Sequence, residues 1–73
     1  MTAQEIIEKS AEAHTAAQRA MTLHGLAMTA FGVACARFEW KIAAKEHQLA
    51  IEYLDAYLNA MMTCHRLAQE MGK

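Results

Sequence analysis

The sequence predicts an all-α protein: a helical hairpin with a shorter first helix and a long second helix, assembling as a homodimeric helical bundle. Three observations lead there. The 73 residues include no proline, three glycines and a single valine, whereas strands favour branched and aromatic residues bounded by turn formers. Polar and apolar residues recur three and four apart along most of the chain, the period of an amphipathic helix. And seventeen consecutive residues, Ala20 to Ala36, carry no formal charge.

Residues 1–73 read as one domain. Thr2 and Glu5 have the spacing of a capping box, so a helix is expected to begin there, over about 2–23. Glu5, Glu8, Glu12, Thr15, Arg19 and Thr22 form its wet stripe, with Ile6, Ala13 and Ala20 opposite. That inner face is largely alanine, and small side chains let two helix axes approach closely.

Gly25 is the best punctuation in the chain, because glycine is favoured just past a helix end. A turn is therefore expected at 24–26 and a second helix over 27–71. Met28, Cys35, Ile42, Leu49 and Ala56 recur at intervals of seven through this stretch, which argues against an interruption. A rival turn near 37–40 would make the two helices roughly equal.

With the turn at Gly25, half of the long helix has nothing to pack against. An uncovered apolar surface of that extent is unusual on a monomer, and a chain this short gains much of its stability from a partner. A two-fold dimer answers both points. Its interface is expected to use Met28, Phe31, Cys35, Phe38, Leu49, Tyr53, Ala60 and Leu67.

Charge and composition narrow the functional classes. Seven basic against eight acidic residues leave a net charge of −1, without the basic excess that nucleic-acid binding requires. Ala20–Ala36 contains Thr22, His24 and Thr29 and falls short of the ~20 apolar residues that cross a bilayer. No membrane partner is expected. Cys35 and Cys64 form neither a disulfide framework nor a paired-thiol motif. Together with an acidic N-terminus unlike a signal peptide, they suggest a cytoplasmic protein.

Catalytic machinery is not apparent. His14, His24, His47 and His65 are scattered, and no nucleophile elbow or phosphate-cradling loop is present. No Glu-x-x-His element offers a di-iron site. The chain reads as non-enzymatic, with no cofactor. Soft ligands offer an alternative. Met61, Cys64 and His65 share a helix face, as do Met21, His24 and Met28, and thioether, thiolate and imidazole suit copper or zinc.

The surface feature with the strongest functional colour is the run Arg37 to Lys41. Trp and Arg are the residues most enriched among interface hot spots, so Arg37, Trp40, Lys41 and Lys45 are the expected partner-binding residues. The same aromatic ring also suits a place in the core. The expected function is that of a dimeric protein-binding module, a regulator or inhibitor of the phage or mobile-element kind that blocks a host transcription factor or ATPase. A secretion or assembly chaperone or adaptor subunit has nearly the same signature.

Overall fold

Two helices of nearly equal length make the whole fold. The computed structural model describes residues 1–72, with α1 over Ala3–Ala36 and α2 over Trp40–Met71. They pack against each other as an antiparallel hairpin 53 Å long and 13 by 12 Å across its Cα atoms. Thr2 caps α1 as its spacing suggests, its Oγ1 accepting from the Glu5 amide at 3.2 Å. No helix among the described residues is long and apolar enough to cross a membrane.

The helices are held together by a seam made mostly of alanine. On α1 the buried residues are Ile6, Ala13, Ala17, Ala20, Ala27 and Ala34, and on α2 they are Ala43, Ala50 and Leu67. Between them Ser10, His24 and Phe31 on α1, and Glu46, Tyr53, Tyr57, Ala60 and Cys64 on α2, are half-buried. These positions alternate at three and four residues, the seven-residue repeat of a two-helix supercoil. His24 crosses the seam, with Nδ1 donating to the Ala50 carbonyl oxygen at 3.0 Å. That bond fixes the register, which sets Ala17 level with Tyr57, Ala20 with Tyr53 and Ile6 with Leu67. Along the middle of the seam small residues on α1 thus stand opposite large ones on α2, and only at the open end do two large side chains, Ile6 and Leu67, meet. Large side chains on both helices in the middle would force the axes apart.

The turn lies at residues 37–39, and Gly25 is inside α1. The rival reading of the sequence therefore holds, and the helices expected over 2–23 and 27–71 do not. Backbone bonding explains why no glycine is needed. The Phe38 amide donates to the Cys35 carbonyl at 3.1 Å and the Glu39 amide to the Ala34 carbonyl at 2.9 Å. This pair of bonds closes a helix when the residue beyond the cap turns left-handed. Here that residue is Phe38, with φ of 58°, where glycine is the usual occupant.

A side chain in that conformation costs about 1 kcal/mol. Phe38→Gly should therefore be more stable than Phe38→Ala by about 1 kcal/mol, melting about 4–8 °C higher. Both variants lose the ring, so the difference isolates the backbone. Equal melting temperatures would mean that Phe38 is not held left-handed.

Moving the turn also changes what the sevenfold row means. Met28 and Cys35 belong to α1, whereas Ile42, Leu49 and Ala56 belong to α2. The reversal between them puts the two halves of the row on opposite sides of the hairpin.

Candidate interaction surfaces

A hairpin of two helices has two broad faces, and successive helical residues are 100° apart. On α1, Ile7, His14, Met21, Met28 and Cys35 flank the seam on one side; Lys9, Ala16, Leu23 and Ala30 flank it on the other. On α2 the corresponding rows are Trp40, His47, Leu54, Met61 and Ala68, and Ile42, Leu49, Ala56 and Thr63. Two contacts show which rows share a face. Phe31, a seam residue one turn from Met28 and Cys35, has its ring 5.3 Å from that of His47, which sets the first row of α2 on the same side as the first row of α1. Lys9, Ala13 and Ala16 line a shallow depression with Ala60 and Thr63, which joins the second rows.

The rows of the first face contain no Asp, Glu, Lys or Arg among the described residues; Arg66 reaches its edge at the open end, where it lines a shallow depression with Leu58, Met61 and His65. The outer parts of this face, Gln4, Ala11, Gln18, Gly25 and Gly32 on α1 and Ala44, Ile51, Leu58 and His65 on α2, are uncharged as well. Ile7, Met21, Met28, Ile51, Leu54, Leu58 and Met61 are all exposed there. The second face is mixed. Lys9, Glu12, Arg19, Lys45 and Glu52 lie along it, and Leu26, Val33 and Ile42 are exposed near the turn.

The expected partner-binding residues do not form one patch. Trp40 lies at the turn end of the uncharged face, Lys45 belongs to the charged side, Lys41 is on the outer edge of α2, and Arg37 caps α1. What the fold brings together is a different pair. Phe38 and Trp40, 74% and 61% exposed, meet edge-on at the tip of the hairpin with ring centroids 5.7 Å apart. The sequence row that set Phe38 inside a helix missed this pair, because nothing in RFEWK resembles a turn.

The expected dimer residues divide in the same way. Phe31, Tyr53, Ala60 and Leu67 lie in the seam within one chain; Leu67 is only 6% exposed. With the turn at 37–39, α1 runs the full length of α2, so no half of the second helix is left uncovered. Met28 and Cys35 flank the uncharged face, Leu49 the charged one, and Phe38 stands at the tip.

Of the soft-ligand candidates, Met61 and His65 are exposed on α2 and Cys64 is half-buried in the seam. The Gln69 side-chain amide approaches Nε2 of His65 at 3.2 Å. Met21, His24 and Met28 do lie on one continuous helix, but the His24 ring is turned into the seam by its bond to Ala50. No three His, Cys, Asp or Glu side chains gather among the described residues.

The hairpin exposes 5407 Å², whereas a compact monomer of 8.1 kDa exposes about 4,500 Å². No large side chain is fully buried among the described residues. Most of the apolar payload of the sequence is therefore on the outside. Comparisons with known protein families, with curated proteins and with solved structures find no match to this chain.

Proposed function

We propose that this chain is a small non-enzymatic protein-binding module that works as a homodimer. The carrying observation is the Phe38–Trp40 pair, two aromatic rings held in the open at the tip of a stiff hairpin. Aromatic anchors of this kind dominate binding energy when a partner pocket desolvates them. Strain points the same way. A phenylalanine kept left-handed and exposed lowers the stability of the chain, and presenting the ring to a partner gives it a use.

The assembly half of the reading rests on area. The hairpin exposes about 900 Å² more than a compact monomer of its mass, close to the ~800 Å² that each partner contributes to a stable interface. The kind of work that suits such a module is stoichiometric: a regulator or inhibitor, of the sort phages and mobile elements encode, that blocks a host transcription factor or ATPase.

Affinity capture from host lysate tests it, comparing wild type with the double variant Phe38→Ala/Trp40→Ala. One protein should be retained by wild type, with capture falling at least about tenfold in the variant, as for loss of a hot spot. Equal capture by both would remove the tip from the function. Capture of nothing by wild type would remove the binder reading.

A further inference from the structure

The charge-free face is continuous along the hairpin, and its properties fit one occupant better than others. In a two-fold contact the same patch serves both copies, so residues near the axis meet their own counterparts and any charge there meets its like. No Asp, Glu, Lys or Arg belongs to the rows that make this face, and Arg66 reaches its edge at the open end, beside Leu58, Met61 and His65. Size agrees too. A face roughly 50 Å long and two helix diameters wide covers on the order of 1,000 Å², enough for a standard interface and close to the excess the hairpin exposes.

Two glycines add an independent sign. Gly25 and Gly32 are both on the outward part of this face, inside a helix, and a Cβ at either would meet nothing within 4 Å. Each costs α1 about 0.5–1 kcal/mol relative to alanine, and nothing within the hairpin requires them. A neighbouring helix that approaches closely would.

We propose that a second copy of this chain covers the uncharged face, completing a four-helix bundle, and that the histidines on this face make the assembly acid-labile. The proposal rests on the homodimeric reading above and adds the face and its control. His14, His47 and His65 lie on that face, and histidine is the side chain whose charge changes between pH 5 and 8. Glu46 is half-buried in the seam one residue before His47, and Arg66 lines a shallow depression with His65. His47 packs on Phe31 and His65 meets Gln69. His24, Cys35, Tyr57 and Cys64 are the other titratable groups toward this face, and Glu8, Lys41 and Asp55 stand beyond it on the outer edges. The opposing copy presents the same set. Burial in such an interface disfavours the charged imidazole, so the dimer binds fewer protons than two separate chains, and acid favours separation.

Light scattering on a sizing column gives the first test. Wild type should elute at twice the chain mass at about pH 8, with dimer affinity at least about tenfold weaker at about pH 5.5. Leu54→Glu, on the uncharged face, should abolish the dimer at about pH 8, while Ile42→Glu, on the other face, should leave it intact. Since Leu54→Glu can unfold the chain, a photo-crosslinker gives a second route: Met28→p-benzoylphenylalanine should yield a crosslinked dimer and Leu26→p-benzoylphenylalanine should not. The triple variant His14→Gln/His47→Gln/His65→Gln should keep its dimer in acid.

A monomer at micromolar concentration and about pH 8 would sink the homodimeric reading and the face together. A dimer split by Ile42→Glu, or crosslinked only from position 26, would overturn the face alone. A wild-type dimer unaffected by acid, or a triple variant as acid-sensitive as wild type, would take the histidines out of the interface.

Discussion

Ala50→Leu is expected to destabilise the hairpin by about 1–3 kcal/mol, although leucine is nearly as good a helix former as alanine and far more hydrophobic. Ala50 is only 2% exposed. Its carbonyl oxygen is tied to His24 across the seam, so the two backbones are locked at that level. Extra methylenes there must move one helix away from the other and pull His24 off its acceptor. Thermal unfolding checks the sign, with an expected fall in Tm of about 4–8 °C for each kcal/mol lost. Ala56→Leu is the control, because Ala56 is exposed on the charged face, and it should change stability by less than about 0.5 kcal/mol. If Ala50→Leu raised the melting temperature, the seam would not be alanine-tight, and the close approach of α1 to α2 would be wrong.

Leu67→Ala is expected to cost about 2–5 kcal/mol. Most of the seam consists of residues too small to bury much area, so the few larger ones carry a disproportionate share. Leu67 and Ile6 are the two large aliphatic side chains buried among the described residues, and the register sets them level with each other at the open end. Truncating Leu67 removes the apolar cover of Ile6 and leaves a cavity between helix ends. For a protein whose total stability is on the order of 4–11 kcal/mol, that loss is a large fraction of the whole. Urea unfolding followed by circular dichroism measures it. A change below about 0.5 kcal/mol, the ordinary surface value, would mean that the open end of the hairpin is not packed.

The helical character, the alanine face of α1 and the cap at Thr2 were readable from the sequence because each is a local property. Spacing reveals a face, and a hydroxyl three residues before an acidic side chain reveals a start. The turn was not readable, for two physical reasons. Its left-handed position is filled by Phe38 in place of glycine, so composition points elsewhere, while Gly25 stands in a helix where it ends nothing. And the reversal at residues 37–39 happens to carry an apolar row on at intervals of seven, from Met28 and Cys35 on one face to Ile42, Leu49 and Ala56 on the other. Periodicity alone does not distinguish one helix from two that continue its count.

The position of the turn also decides which surfaces are exposed. Tyr53, Ala60 and Leu67 read as exposed only when α1 is too short to reach them. Trp40 was grouped with Arg37, Lys41 and Lys45 by nearness in sequence, yet helical rotation sends Lys41 and Lys45 away from it. The uncharged face was latent in the row Ile7, His14, Met21, Met28 and Cys35. It becomes a surface only when Leu54 and Met61 come back alongside, which depends on where the chain reverses.

The single reversal also fixes where the chain can be held. Ile6 and Leu67 share one end of a rod 53 Å long, and Phe38 and Trp40 occupy the other. Anything tethered near either Ile6 or Leu67, whether a label, a bead or a fused protein, therefore stands away from the aromatic rings by most of that length. Two continuous helices span that separation without a break. The hairpin is thus a spacer of set reach between its open end and the aromatic rings at its tip.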